Sequence, residues 1–212
     1  MRSLGKIISF RGQTMLNKQA KILSEQQIKA VLSFLETTRN AKRDRAVFML
    51  SVYAGLRAKE ISNLEVSMIT DVNGNVADAI ALENKASKGK SGRIIPMNKV
   101  LQTALVEWLK EPDKTRSKYV ISTERAEKFS ANGIAVWFQR LYKSLGFQGA
   151  SSHSGRRNFG TYCARKIGLV GGSLKDVQYL LGHSWISSTQ RYLQENEDAQ
   201  KQVVNIIYQN VK

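Results

Sequence analysis

The sequence predicts a mainly helical α+β domain carrying one small three-stranded antiparallel sheet. Two observations lead there. From Ser24 onward most of the chain repeats apolar residues every three or four positions, the spacing of helices with one buried face. Only one block, residues 68–97, breaks that rhythm: it alternates, and it holds an Asn-Gly pair of the kind that turns a hairpin. With 212 residues and 42% apolar content, the chain is long enough to bury one sizeable core.

Residues 1–45 hold ten Lys and Arg against three acids. The start follows neither period, so a basic, mobile arm is expected over 1–22. Ser24 with Gln27 three residues on has the form of a capping box, and Ile28, Val31, Leu32 and Leu35 give the first helix its buried stripe. A second helix is expected from about Asp44 to Ala54, with Val47, Leu50 and Tyr53/Ala54 inward and Gly55 as its stop. A short helix follows around Glu60 to Leu64. The strand block then reads MITDVNGNV, ADAIALEN and GRIIPM, with a long, basic, flexible loop, KASKGKS, between the last two. From Asn98 the chain turns helical again, at about 98–110, 130–145, 154–167, 174–181 and 187–193. The end, QKQVVNIIYQNVK, puts Val203, Val204, Ile207 and Val211 on one face. That stripe predicts a helix over 196–212 that packs on its own domain or docks on a neighbouring protomer. No internal repeat or low-complexity tract is present.

The net charge of +16 and the sequence pI near 10.1 favour a polyanion such as nucleic acid or an anionic membrane, although charge alone serves solubility equally well. The most apolar stretch, Ala46 to Leu56, is far shorter than the ~20 residues of a bilayer span. Lys6 and Arg11 interrupt the start before a secretory signal can form. Cys163 is alone and makes no internal disulfide, so a cytoplasmic protein is expected.

Candidate chemistry rests on a few cations and one phenol. Arg57, in AGLRAKEISNL, stands between a glycine helix stop and a new helix, with Glu60 placed to orient it. Taken alone, the pair reads first as a helix-end ion pair. His153 and Arg156, in SSHSGRRNFGT, share a face at a helix start, where one imidazole and one guanidinium can address the same oxygen-rich ligand. The other histidine, His183, follows a Leu-Gly turn and precedes Tyr192 by nine residues. A zinc site from His153, Cys163 and His183 is the competing chemistry. It lacks a fourth ligand and any compact ligand spacing.

Four segments, GLRAKEI, SKGKSGRIIP, HSGR and LGHSWISSTQRY, stand in the order and spacing of the tyrosine recombinases, or phage integrases, and the chain resembles that family over roughly residues 24–195. The resemblance implies the family's catalytic fold over 23–195 and an active site of Arg57, Lys88, His153, Arg156, His183 and Tyr192. Tyr192 would attack a DNA phosphate to give a 3′-phosphotyrosyl link, with no metal, ATP or other cofactor. His153 would accept its proton, Arg57 and Arg156 would hold the non-bridging oxygens, Lys88 would protonate the leaving 5′ oxygen, and His183 would hydrogen-bond the phosphate. Lys85 and Lys90 are neighbours able to substitute for Lys88. Lys85, Lys90, Arg93 and Arg157 are further expected DNA contacts. The implied partners are double-stranded DNA and other copies of the chain, as a tetramer joined through the C-terminal helix, with room for an accessory protein. The implied setting is a bacterial, archaeal or virus-infected cell.

The chain departs from the family in places. Members usually carry a helical core-binding domain ahead of the catalytic one, where this chain has about 20 residues. Gly155 stands where Leu or Met is common, and Arg157 where a second His is common. Three other readings stay open: a related topoisomerase, a non-catalytic DNA-binding protein of the same fold, and an RNA-binding module, the last lacking an aromatic stacking cluster.

Overall fold

The structure, a computed structural model, describes residues 19–87, 91–111 and 117–190. The first helix, α1 (Glu25–Glu36), starts as the sequence predicts. Ser24 accepts the Gln27 N–H, and the Gln27 side chain accepts the Ser24 N–H. Next comes α2 (Ala41–Tyr53), which differs from expectation. Instead of one inward stripe, every residue from Ala46 to Val52 is buried, because α1, α3 (Ala58–Asn63), α4 (Lys99–Leu109) and α6 (Ser154–Lys166) pack around it. It is the central rod of the core, which explains its apolar run without amphipathic period.

The sheet has two strands among the described residues, not three. Strand β1 (Ala79–Leu82) pairs antiparallel with β2 (Arg93–Pro96), Ile80 opposite Ile95. The expected first strand fails because its backbone groups are used locally. Val66–Met68 forms a 3-10 turn, and the Asp71 carboxylate accepts the N–H groups of Asn73 and Asn75, both at 2.9 Å. Only a single bridge, Thr70 to Val76, remains of that hairpin.

The second half supplies α5 (Ala131–Ser144), α6, α7 (Leu174–Leu181) and α8 (Ile186–Gln190). Ser130 and Ser173 cap α5 and α7. On α5, Phe138 stacks on Tyr142 at 5.8 Å and Trp137 meets Phe138 edge-on at 4.8 Å, filling the side of the core against α3. No helix among the described residues is long and apolar enough to cross a membrane.

Each face of α6 has a separate task. Asn158 clamps Leu23, accepting its N–H at 2.9 Å and donating to its carbonyl at 2.6 Å. Arg157 donates to the Ala20 carbonyl at 2.6 Å, and Lys21 N–H donates to Gly149. Ala20 and Lys21, expected within a mobile arm, are thus docked on the domain. Arg157 braces that segment. Gly155 faces Ser51 of α2 so closely that a Cβ there would lie 2.3 Å from Ser51 Oγ and 2.9 Å from its carbonyl carbon. The glycine absent from the family's usual pattern is therefore what lets α6 approach α2. Gly155→Ala is expected to lower stability by about 1–3 kcal/mol through overpacking, against the roughly 1 kcal/mol that helix propensity alone would add. Urea unfolding would measure this, and a raised midpoint would refute the close-approach account.

Candidate active site

Glu60 is the hub around which the site is built. It is the third residue of α3, and its carboxylate turns back to accept both the Arg57 backbone N–H and the Arg57 guanidinium, each at 2.9 Å. A carboxylate at this position satisfies a helix-start donor and favours the positive end of the helix. Glu60 is only 1% exposed, yet two further guanidiniums reach it from elements distant in sequence. Arg93, the first residue of β2, bonds both carboxylate oxygens at 3.1 and 3.3 Å. Arg156 comes from the first turn of α6, its Nη1 3.8 Å from Oε2.

The same two arginines close the far end of α7. Arg93 Nε donates to the Leu180 carbonyl at 2.7 Å. Arg156 donates through one Nη to Leu181 and through the other to Gly55, the latter at 2.8 Å. The last carbonyls of a helix lack intrahelical donors and carry its partial negative charge, so two buried cations are suited to them. Glycine is required at both loops that receive these contacts. Gly55 has φ +64°, and a Cβ there would lie 2.5 Å from the Phe159 ring. Gly182 ends α7 at φ +58°, and a Cβ there would lie 2.8 Å from Arg93 Nη1.

Electrostatics follow from this packing. Burial alone would raise the Glu60 pKa, but the hydrogen bonds and charge of Arg93, the Arg57 N–H and the charge of Arg156 outweigh it and hold the carboxyl below its ordinary range. His183 goes the other way to the usual histidine near acids. Burial, then the charges of Arg156, Arg57 and Arg93, push it down to about 4, so its imidazole is neutral at physiological pH. Its Nδ1 lies 3.0 Å from the hydroxyl of Thr189, which is fully buried in α8, and Gln178 Nε2 donates to its carbonyl at 2.9 Å.

The structure therefore gathers Arg57, Glu60, Arg156 and His183, together with Arg93. His153 stands exposed at the N-cap of α6, one turn before Arg156. Arg93, expected to contact DNA, is instead 4% exposed and turned inward to Glu60. Lys85 is half exposed, and its ammonium is held by Glu65 at 2.9 Å and Glu83 at 3.2 Å, which disfavours it as a substitute for Lys88. Lys88, Lys90, Tyr192 and the expected C-terminal helix lie outside the described residues. Sequence reasoning missed Thr189, whose only signal was a position six residues after His183 in a polar segment. Beside the cluster opens a cleft of roughly 320 Å³ lined by Ser91, Gly92, Arg93, Gln178, Gly182 and His183. Among the described residues, no three His, Cys, Asp or Glu side chains converge on a common metal position.

Comparison with known proteins agrees with the resemblance. Residues 21–199 match the Phage integrase family. The tyrosine recombinase XerA of Thermococcus kodakarensis is 30% identical over 175 residues, a match covering 81% of this chain and 57% of that protein. The tyrosine recombinase XerD of Listeria innocua is 27% identical over 180 residues, covering 81% and 57%. The chain thus spans a little over half the length of these curated relatives. Among solved structures, a crystal structure of XerA recombinase superposes with TM-score 0.69 at 24% identity, covering 90% of this chain and 66% of that one. The Tn1549 transposon integrase, solved with circular intermediate DNA, does so with TM-score 0.71 at 21% identity, covering 89% and 67%. These similarities span both the cation cluster and the helices that carry it.

Proposed function

Because the chain belongs to the phage integrase family, we propose that it is a site-specific DNA recombinase that breaks and rejoins strands through a 3′-phosphotyrosyl intermediate. The observation that carries this reading is the convergence of Arg57, Arg93 and Arg156 on one buried carboxylate, beside a neutral imidazole. Three guanidiniums less one carboxylate leave the four groups at +2. Such a group of fixed cations suits a phosphate whose non-bridging oxygens gain charge as a fifth ligand reaches phosphorus. Arginine keeps that charge at any working pH and offers paired N–H donors.

In this mechanism the Tyr192 phenolic oxygen attacks phosphorus and loses its proton to His153. The bond from phosphorus to the 5′ oxygen breaks, Lys88 gives that oxygen a proton, and a free 5′-hydroxyl results. Arg57 and Arg156 hold the non-bridging oxygens. In the tautomer where the Thr189 hydroxyl donates to Nδ1, His183 carries its proton on Nε2 and can donate it as a hydrogen bond to the phosphate. The phosphodiester energy is kept in the tyrosyl link, and attack of a 5′-hydroxyl from a second duplex reverses the chemistry onto a new partner strand. Four copies on two duplexes, joined through the segment after Tyr192, are the proposed assembly.

The test is to incubate the full chain with nicked duplexes carrying sites from its own genomic neighbourhood and to resolve the products on a denaturing gel. A covalent protein–DNA band that persists in EDTA is expected. Intact mobility-shift binding with no such band would overturn the cleavage reading in favour of a DNA-binding role.

A further inference from the structure

We infer that Thr189 is a positioning residue: its hydroxyl fixes which ring nitrogen of His183 carries the proton, so that the imidazole turns an N–H rather than a lone pair toward a bound phosphate. This rests on the reading of His183 as a hydrogen-bond donor to that phosphate. The histidine is held from two helices. On α7, its backbone N–H donates to the Gln178 carbonyl at 3.1 Å and its carbonyl accepts from the Gln178 side chain at 2.9 Å. From α8, the Thr189 hydroxyl meets Nδ1 at 3.0 Å. One edge of the ring is thereby engaged inside the protein, while the residue lines the cleft beside the arginine cluster.

The direction of the Thr189 bond follows from its donors and acceptors. Thr189 is fully buried, and its hydroxyl has no other hydrogen-bond partner among the described residues. A hydroxyl carries one proton and two lone pairs. Were Nδ1 the donor, the hydroxyl proton would be left in the core without an acceptor, a heavier cost than a lone pair left unfilled. Thr189 therefore donates, Nδ1 accepts, and the single proton of the neutral ring sits on Nε2. A second ring proton is opposed by burial and by the charges of Arg156, Arg57 and Arg93, so only the two neutral tautomers compete at physiological pH. Left to those three charges, the ring would favour a lone pair facing them. The hydroxyl sets the choice the other way.

The test reads the proton and the reaction separately. The full chain is labelled with 15N, and its two imidazoles are told apart with His153→Asn. Protonated and bare ring nitrogens resonate far apart. Without DNA, His183 of the unaltered chain is expected to show a bare Nδ1 and a protonated Nε2. Thr189→Val, close in shape but lacking the hydroxyl, is expected to move Nδ1 toward the protonated position, and Thr189→Ser to restore it. On nicked duplexes Thr189→Val should form the covalent band about tenfold more slowly, the worth of one hydrogen bond, and Thr189→Ser within about threefold of the unaltered chain. A protonated Nδ1 in the unaltered chain, or a Thr189→Val ring indistinguishable from it, overturns the proposal whatever the rates. A shifted tautomer with an unchanged rate overturns it too, because the N–H would then not serve the phosphate. If the unaltered chain forms no covalent band, the recombinase reading falls, and Thr189 is judged by its spectra together with duplex affinity, which Thr189→Val should lower about threefold and Thr189→Ser should restore. Should Thr189→Val not fold, Thr189→Ala removes the same hydroxyl and is expected to give the same tautomer shift and slowing.

Discussion

Tyr192→Phe is expected to abolish the covalent protein–DNA band while leaving mobility-shift binding within about twofold of the unaltered chain, because the change deletes the proposed nucleophile and none of the cations proposed to bind phosphate. Loss of the attacking atom in enzymes of this kind removes on the order of 10⁴-fold or more in rate, so no residual band should be visible on the time scale of the assay. A phenol with its ordinary pKa near 10 is a weak nucleophile at neutral pH, so the proposed mechanism needs the guanidiniums and His153 to activate it. A Tyr192→Phe protein that still forms the band at comparable yield would refute the assignment of the nucleophile and redirect the search to another hydroxyl of the chain.

Glu60→Ala should produce the largest loss of stability. Removing one partner of a buried ion cluster leaves charges uncompensated, at a cost of about 3–5 kcal/mol, and here Arg57, Arg93 and Arg156 all lose a partner together. Urea unfolding at neutral pH would show the fall; an unchanged midpoint would exclude Glu60 as the hub. The pH dependence has a definite sign. The folded Glu60 carboxyl titrates below its unfolded value of about 4.3, so its contribution is complete above that value and disappears as pH falls through the lower folded one. The stability gap between the unaltered chain and Glu60→Gln should accordingly narrow only in acid, below about pH 4.

Legibility in the sequence followed the range of the interactions. The capping box at Ser24 and Gln27, the glycine stop at Gly55 and the helices after Asn98 are set by neighbours within a turn, and the sequence shows them. The expected strand at MITDVNGNV failed for a local reason too, since Asp71 competes for the very N–H groups a strand would pair. What stayed hidden depends on contacts made by folding. Nothing near Arg93 tells that Glu60, 33 residues earlier, and Leu180, 87 residues later, will take it inward; by pattern it is one more cation beside a basic loop. Arg157 is the same case, its partner Ala20 lying 137 residues away. Gly155 shows the reverse: read as a departure from the family's pattern, it becomes intelligible once Ser51 is seen against it.

Arg156 bonds to Gly55, 101 residues away, and to Leu181, 25 residues away. Contacts of that separation need segments far apart in the chain to be in place together. A nascent, partly unfolded or clipped chain therefore lacks the assembled arginine cluster. For a protein proposed to break and rejoin DNA, this makes folding itself a safeguard: a chain too incomplete to hold the cluster would lack the groups proposed to bind the phosphate.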